Sequence, residues 1–344
     1  MKSKAPIKKY DITQCALYKC RTKRRLECLL CLEPGDLKMI NSVIKYHFFE
    51  IEKKHSNEMR QITAPTKTLK LVQKRILNLL QRVIRPNWLI SGEKQKCYID
   101  NGKAHLGGRY VLTIDIKKFY DNCTREPVYQ FFIHKLKTSP DVAEILTNIV
   151  TYDGGIPTGC PTSQIMAFYA YLDMFSEIHY LAQSHNCIFT LYVDDMTFSS
   201  QEPFSPNALT HRVDRILKKY GHQPKYEKIK YYSPSDYKLI TGTIITPQQT
   251  LAVPNRLQKA VYDSFQKVKP SIESIVCTAE DARQVLSLKG QIQAARNIEP
   301  KKFPEILRLT NQIILPDVTD ILPKIKTTHK YSKKIRISNN RSDK

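Results

Sequence analysis

Two adjacent aspartates constrain this chain more than any other feature of its sequence. Asp194 and Asp195 lie in the stretch LYVDDMTFSS, between two runs of alternating, β-branched and aromatic residues that predict β-strands. The acid pair is therefore expected at the tight turn of a hairpin. Neighbouring carboxylates repel each other, and burying either of them without a partner costs free energy. The fold must supply something that compensates this charge.

A third acid ends another predicted buried strand. Asp115 stands near the end of Val111–Ile116, in the stretch RYVLTIDIKKFY. Mg²⁺ prefers carboxylate oxygens and substrate phosphates as ligands. Two such ions, about 3.5–4 Å apart, can hold the attacking and leaving oxygens of a phosphoryl transfer. Asp115, Asp194 and Asp195 could form this site if their strands are neighbours; otherwise the acid pair is a solvated turn.

The charge of the chain favours a polyanionic partner. Its 344 residues carry a formal net charge of +23. Residues 1–25 and 324–344 contribute net charges of +8 and +7, so the middle of the chain is only mildly basic. Both ends are either solvated arms or segments that grip nucleic acid, and neither has an apolar anchor. We therefore expect nucleic acid, and no membrane, among the partners.

The cysteines and the first residues favour a cytoplasmic protein. The nine cysteines are an odd number, and MKSKAPIKKY lacks the apolar core of a signal peptide. Cys15, Cys20, Cys28 and Cys31 have spacings that a zinc site could use. The last two lie in LECLLCL, whose apolar character favours a buried helix with cysteine as a small hydrophobic residue. Both interpretations stay open.

Secondary-structure signals predict a mixed fold. A hairpin is expected at Tyr46–Glu52 and Met59–Thr63, and a short strand within YKLITGTIIT. Apolar spacing predicts a helix over residues 69–83, whose other face is either solvated or turned towards nucleic acid and carries Lys70, Lys74, Arg75 and Arg82. Further helical segments are expected at Pro127–Lys137, Val142–Val150, Gln164–Leu181, Ala208–Tyr220 and Val253–Leu322.

Four segments resemble the sequence boxes of reverse transcriptases, in the order that this family has them. RQITAPTKTLKLVQ resembles the fingers segment, and LTIDIKKFY the first catalytic box. IPTGCPTSQ resembles the loop that contacts template and nucleotide, and YVDD the Y-x-D-D catalytic box. The resemblance spans residues 26–250 and implies an RNA-directed DNA polymerase, a nucleotidyltransferase that binds RNA.

Within that family, the chain is most similar to bacterial retron reverse transcriptases. NGKAH, at residues 101–105, stands where retron enzymes carry N-A-x-x-H, and ITG, at residues 240–242, where they carry V-T-G. The length of 344 residues without an added domain also resembles them. Three positions depart from the usual pattern: Gly102 replaces Ala, Thr158 replaces Gln and Gln164 replaces Pro.

The resemblance implies an α+β right-hand polymerase fold with fingers, palm and thumb, and a small antiparallel palm sheet. It predicts a basic arm and helical segment at 1–40 and fingers at 41–100. The palm is expected at 101–245, with fingers helices inserted near 123–150. A helical thumb at 246–322 and a basic tail at 323–344 complete this division.

The resemblance also assigns the catalytic residues. Asp115, Asp194 and Asp195 would bind two Mg²⁺ ions, for which Mn²⁺ could substitute. Lys228 resembles the lysine that protonates the leaving pyrophosphate, although two other lysines of KYEKIK compete for this role, Lys225 and Lys230.

Four residues are predicted to bind the dNTP. Arg60 resembles the fingers arginine that contacts the triphosphate through bidentate bonds, or is a solvated hairpin charge. Tyr120 resembles the aromatic residue under the nucleotide sugar that excludes a 2′-hydroxyl, or packs the palm. Gly159, in the nucleotide-contacting loop, and Tyr192, in the Y-x-D-D box, complete the set.

The retron resemblance implies the partners. Asn101 and His105 are predicted to bind RNA, while the alternative for His105 is a buried histidine with its hydrogen bonds satisfied. The enzyme would copy a structured noncoding RNA into branched RNA-linked DNA (msDNA), in antiphage defence with an effector protein. Two alternatives remain: an intron-derived or abortive-infection reverse transcriptase, or a non-catalytic nucleic-acid-binding scaffold. The intact acid triad favours catalysis.

Overall fold

The computed structural model describes residues 8–52, 59–273 and 279–313. Its α-helices, numbered in chain order, are α1 Lys23–Leu30, α2 Ile40–Val43, α3 Lys67–Leu80, α4 Tyr98–Ala104, α5 Arg125–Gln130, α6 Pro140–Val150, α7 Ser163–Ala170, α8 Leu172–Ser184, α9 Pro206–Lys219, α10 Asn255–Glu273, α11 Ala279–Ile298 and α12 Pro304–Asn311. Its strands are β1 Tyr46–Glu52, β2 Met59–Pro65, β3 Tyr110–Asp115, β4 Ile188–Tyr192, β5 Asp195–Ser200, β6 Lys230–Tyr232, β7 Lys238–Ile240, β8 Thr243–Ile245 and β9 Leu251–Ala252.

The described strands form three antiparallel sheets. A four-stranded sheet has the order β4-β5-β3-β6, a hairpin pairs β1 with β2, and a three-stranded sheet has the order β7-β8-β9. The fold combines helices with sheets whose strands are antiparallel, which confirms the predicted α+β class. Of the helices in the described ranges, none combines the length and apolarity that crossing a membrane requires.

The four-stranded sheet has one face in the main core and one face that carries acids. Leu112 and Ile114 of β3 and Met196 and Phe198 of β5 pack in the same hydrophobic cluster. Side chains alternate between the two faces of a strand. The alternate residues, which include Asp115 and Asp195, therefore lie on the opposite face.

The C-terminal helices pack around a second hydrophobic cluster, to which Ile99 of α4 and Val253 also belong. Helices α10, α11 and α12 bury a second cluster that includes Val261, Leu288 and Ile306. The main cluster runs instead from Cys15 in the N-terminal segment to Leu217 in α9. The core of the last three helices is thus distinct from that of the sheet.

Most predicted elements are present with shifted ends. The hairpin and the helix over 69–83 are confirmed as β1–β2 and α3. Helix α9 begins as its sequence suggests, because the Ser205 hydroxyl accepts a hydrogen bond from the Ala208 N–H and Pro206 follows the cap. The predicted single helix Gln164–Leu181 was wrong: α7 and α8 are separated at Tyr171.

Two shorter predictions also need correction. YKLITGTIIT forms two strands, β7 and β8, rather than one, because Thr241 and Gly242 both adopt positive φ angles (46° and 96°) and reverse the chain. In LECLLCL, Cys28 is exposed while Glu27 is buried and accepts hydrogen bonds from the N–H groups of Gly35 and Leu37. The Glu27 carboxylate thus fixes the segment 35–37 that follows the helix.

The two retron-like segments pack against each other. In α4, the Asn101 amide donates to the Thr241 hydroxyl at 2.6 Å in the β7–β8 turn. A Cβ atom on Gly102 would collide with the Thr243 Oγ1 on β8. Glycine therefore stands where related enzymes carry alanine because the threonine hydroxyl already occupies that space.

We predict that Gly102→Ala destabilises the protein and that Thr243→Ala partly rescues it. The added methyl should cost about 1–3 kcal/mol through overpacking. Thr243→Ala alone should cost about 1 kcal/mol, because the Thr243 hydroxyl donates to the Ile240 carbonyl oxygen. Urea unfolding of both single variants and the double variant measures their coupling. Additive free-energy changes would contradict the proposed collision.

Candidate active site

Strand register places the three predicted acids together. Asp115, the last residue of β3, stands directly across from Asp195, the first residue of β5, and Asp195 also pairs with Tyr192 on β4. Residues directly opposite in an antiparallel pair share a face, with Cβ atoms about 4.5–5.5 Å apart. The Asp194 carbonyl oxygen accepts a hydrogen bond from the Ile116 N–H at 3.2 Å. The strands of the acids are therefore neighbours, as the metal hypothesis requires.

Burial and like charges make Asp195 the most perturbed of these acids. Burial is the largest effect, and together with the charges of Asp194 and Asp115 it raises the pKa of Asp195 to about 7. The Lys228 ammonium opposes this rise. The cluster therefore holds more negative charge than its surroundings compensate.

Lys228 is the lysine of KYEKIK that reaches the acids. Its Nζ lies 2.9 Å from Asp115 Oδ2, and this contact raises the pKa of Lys228. The Lys225 side chain instead lies 3.7 Å from Glu227 Oε1, while its backbone N–H donates to the Asp115 carbonyl oxygen. Lys230 is exposed on β6. These distances thus favour Lys228 over Lys225 and Lys230 as the lysine that contacts the acids.

The acid cluster has the chemistry to hold divalent cations. Within the described ranges, no group of three or more His, Cys, Asp or Glu side chains is already gathered as metal ligands. However, carboxylate oxygens are the ligands that Mg²⁺ prefers, and a cation would offset the charges of Asp194 and Asp115 that add to burial in raising the pKa of Asp195. Asp115, Asp194 and Asp195 therefore fit a divalent-metal site.

A segment that the sequence analysis missed supports the turn between β4 and β5. Residues 88–91 run beside β4: the Leu191 N–H donates to the Trp88 carbonyl oxygen at 2.8 Å, and the Ile90 N–H to the Leu191 carbonyl oxygen at 3.0 Å. The Ser91 hydroxyl then accepts a hydrogen bond from the Val193 N–H at 2.8 Å. Ser91 thus anchors the residue that precedes the acid pair.

Val193 needs such an anchor because its backbone is strained. Its φ angle is 63°, a value that β-branched residues rarely adopt. Next to Ser91 in the chain, the Gly92 carbonyl oxygen accepts a hydrogen bond from Arg85 Nη2 at 3.0 Å. Arg85 also forms a buried ion pair with Glu93 at 2.7 Å, and Lys9 contacts Glu93 as well. No local pattern in WLISGE predicts that Ser91 supports Val193, because the two residues are about a hundred positions apart in the chain.

Comparison with known proteins identifies the family. The family model described as "Reverse transcriptase (RNA-dependent DNA polymerase)" matches residues 51–284. The chain belongs to the reverse transcriptase family. Its enzyme class is that of RNA-directed DNA polymerases.

Curated relatives are reverse transcriptases of the retron type. Over 271 residues the chain is 23% identical to the retron Ec86 reverse transcriptase of Escherichia coli, covering 78% of this chain and 81% of the relative. It is 27% identical to the retron Se72 reverse transcriptase of Salmonella heidelberg (50% and 46% covered) and 24% identical to the retron Ec48 reverse transcriptase of Escherichia coli (53% and 45%). The chain thus spans about half the length of the last two. Together these relatives support a bacterial retron-type reverse transcriptase.

A solved structure shows a more distant likeness. Apo telomerase from Candida tropicalis, truncated from the C-terminal domain, has a TM-score of 0.47 at 13% identity, covering 62% of this chain and 55% of that one. This likeness is too weak to inform the site.

The structure describes three further residues that were predicted to bind the nucleotide in different detail. Tyr120 is half-buried in the turn after β3, and its ring centroid lies 5.5 Å from that of the buried Phe119. Tyr192 is half-buried at the end of β4. Arg60 lies on β2 opposite Ile51, but its side chain is outside the described part of the chain. Their contacts with a nucleotide remain predictions.

Gly159 fixes its loop against the β1–β2 hairpin. It has a φ of 103°, and a Cβ atom there would lie 2.8 Å from the Ile62 Cγ2 on β2. The neighbouring Thr158 carbonyl oxygen accepts a hydrogen bond from the Thr63 N–H at 2.9 Å. Glycine is therefore required by backbone geometry and close packing, in addition to any nucleotide contact.

The structure does not support direct RNA contacts by Asn101 and His105, because both side chains are fully buried. The two ring nitrogens of His105 bond the hydroxyls of Ser199 on β5 and Thr190 on β4, each at 2.7 Å. Burial lowers the pKa of His105 to about 3, so the ring is neutral near pH 7. His105 therefore matches the alternative of a satisfied buried histidine that links the two strands.

We predict that Ser91→Ala slows nucleotide addition without abolishing folding. Losing the hydroxyl leaves the Val193 N–H without its acceptor, at a cost of about 1–3 kcal/mol, and loosens the acid pair. The single-turnover rate should fall roughly tenfold while the KM for dNTP stays nearly constant, because misplacement acts on the chemical step. Ser184→Ala, which removes a hydroxyl at the exposed end of α8, is the matched control. An unchanged rate in Ser91→Ala would show that Val193 holds its position alone.

Proposed function

We propose that this protein is the RNA-directed DNA polymerase of a retron, which adds dNTPs to a growing DNA strand on a noncoding RNA template. The observation that carries the proposal is the strand register: Asp115 faces Asp195 across β3 and β5, with Asp194 beside it. That arrangement, in a chain whose relatives are retron reverse transcriptases, supports polymerisation over a purely binding role.

The acids would hold two divalent ions, Mg²⁺ with Mn²⁺ as a substitute. When bound, such ions supply activation of the attacking hydroxyl and stabilisation of charge on the transferred phosphate. Asp115 and Asp194 would supply carboxylate oxygens as ligands to these ions. Asp195 would add a third carboxylate, and the positive charge of the ions would favour its ionised form. The acid face of the sheet leaves this cluster accessible, since Asp115, Asp194 and Asp195 are each only partly buried.

Lys228 is placed to act on the leaving group. Its contact with Asp115 raises its pKa, so the ammonium keeps its proton near neutral pH. A donor to departing pyrophosphate must carry that proton until the bond breaks. The side chain is about half exposed, which allows it to move from the acid to a phosphate. We therefore assign the general acid to Lys228 rather than to Lys225 or Lys230.

The remaining architecture suits the same reaction. The β1–β2 hairpin and α3 would form the fingers, the four-stranded sheet the palm, and α10–α12 the thumb. The helices α10–α12, which pack around the second hydrophobic cluster, would hold a template–product duplex by contacts to the backbone and 2′-hydroxyls of the duplex. A-form duplexes are generally recognised in this way. The basic tail at 323–344, which lies outside the described residues, would add salt-dependent affinity.

The retron assignment extends the proposal to the product. Synthesis would start from an RNA 2′-hydroxyl and yield msDNA, in a system that serves antiphage defence with an effector protein. Extracting nucleic acid from cells that express the chain with its neighbouring noncoding RNA tests this part. A branched RNA–DNA species supports it, whereas unbranched cDNA would indicate another reverse transcriptase lineage.

We predict that Asp194→Asn combined with Asp195→Asn abolishes DNA synthesis and leaves RNA binding nearly intact. The carboxylates that hold the ions are lost, so primer extension should fall by roughly 10³-fold or more. Asp173→Asn with Asp263→Asn removes two exposed acids and is the matched control. Extension near the wild-type rate in the first variant would overturn the assignment.

We predict that Tyr120→Ala gains ribonucleotide incorporation while it keeps measurable dNTP incorporation. Removing a ring under the nucleotide sugar would admit the 2′-hydroxyl, and the half-buried position of Tyr120 leaves part of its side chain accessible to the sugar. Single-nucleotide extension with matched dNTP and rNTP reports the ratio of their kcat/KM values.

Phe119→Leu controls for lost packing, because Phe119 is the buried ring of this pair. It should lower the melting temperature without changing the ratio. If Tyr120→Ala behaves in the same way, Tyr120 is a packing residue and not a gate.

A further inference from the structure

A basic groove lies between the N-terminal segment and the end of α3. This cavity has a volume of about 550 Å³ and is lined by three cations and several polar groups, among them Lys8, Arg75, Arg82, Tyr10, Asn78 and Gln81. None of the described residues that line it is Asp or Glu. The groove therefore offers hydrogen-bond donors and positive charge to a ligand.

The walls of the basic groove are held by contacts within the protein. The Tyr10 N–H donates to the Arg82 carbonyl oxygen at 3.0 Å, and the Ile84 N–H to the Tyr10 carbonyl oxygen at 2.9 Å. The Arg82 guanidinium lies over the Tyr10 ring, 5.2 Å from its centroid. Arg75 Nε donates to the Leu29 carbonyl oxygen at 2.7 Å. The cations are thus positioned before any ligand arrives.

Within residues 8–52, 59–273 and 279–313, no acid forms an ion pair with the two arginines of the basic groove. Elsewhere on the surface arginines have carboxylate partners, such as Glu144 for Arg125 and Glu305 for Arg308. Among the described residues, neither Arg75 nor Arg82 forms an ion pair. An anion from outside can therefore approach these arginines without competing with a carboxylate of the described residues.

We propose that the basic groove binds the phosphate backbone of RNA. Guanidinium groups bond phosphate oxygens in bidentate geometry, and the Tyr10 ring with Arg82 on its face resembles the mixture of cations and aromatic rings that binds single-stranded nucleic acid. An acidic protein segment would match these charges as well, but guanidinium–phosphate pairing suits the RNA that the proposed polymerase copies. This inference rests on the proposed function, which makes RNA the partner.

The basic groove is also fixed relative to the acids. Lys9, between the two lining residues Lys8 and Tyr10, contacts Glu93. Glu93 pairs with Arg85, and these two residues flank Ser91 in the chain. Ser91 holds the turn of the acid pair. RNA in the groove would therefore be held at a fixed position relative to the catalytic turn.

The test is the salt dependence of RNA binding. Lys8→Gln with Arg82→Gln removes two exposed cations of the groove, and Arg212→Gln with Arg215→Gln removes two exposed cations of α9 as the matched control. The affinity for a labelled RNA hairpin is measured over a range of KCl concentrations. The groove variant should lose about tenfold in affinity, and its log–log salt slope should become shallower by roughly 1–2, as for two lost phosphate contacts. The control should change little.

Further variants and a primer-extension assay distinguish weaker RNA binding from poor folding and from loss of polymerisation. Arg82→Lys keeps the charge and should keep the slope, and Lys8→Gln alone should lose about half of the effect if the double variant folds poorly. An unchanged slope in the groove variant, or equal losses in groove and control variants, would overturn the proposal. Primer extension on a DNA-primed RNA at saturating concentration should persist in both variants. Absence of extension by the wild-type protein would instead refute the proposed polymerase function.

Discussion

The antiparallel pairing of β3 with β5 is the constraint on which the site depends. Because side chains alternate between faces, the register that puts Leu112 and Phe198 into the core also puts Asp115 opposite Asp195 on the other face. A shift of the register by one residue would turn the acids towards the main core and the apolar side chains away from it. The hydrophobic effect that stabilises the sheet therefore also brings the carboxylates together, and burial, followed by the charges of Asp194 and Asp115, raises the pKa of Asp195.

Residues from two other segments stabilise the charge and the backbone conformation of the acid turn. Lys228, in the segment just before the edge strand β6, places its ammonium 2.9 Å from Asp115 Oδ2. In the second segment, Ser91 accepts the N–H of the strained Val193. The buried ion pair of Arg85 and Glu93 flanks Ser91 in the chain. Strain and charge at this turn thus depend on residues that the hairpin itself does not contain.

The retron-like segments illustrate how a sequence likeness and a physical role can differ. The resemblance predicted RNA contacts for Asn101 and His105, yet both side chains bond protein groups and are buried. Their arrangement joins α4 to the four-stranded sheet and to the β7–β8 turn. The departure at Gly102 has its explanation in the same place, since Thr243 occupies the volume that an alanine methyl would need. Any influence of these residues on RNA is therefore indirect, through the position of neighbouring strands.

Local patterns along the chain determined the strands of the acids, the hairpin β1–β2 and the amphipathic helix α3, because alternation and helical spacing are properties of short segments. The order of the four boxes identified the family in advance of any coordinates. Only the tertiary structure decided which lysine meets Asp115, that Tyr171 separates two helices, and that Ser91 supports the acid turn. These features arise from contacts between residues distant in sequence, which packing of the whole core selects and no local periodicity encodes.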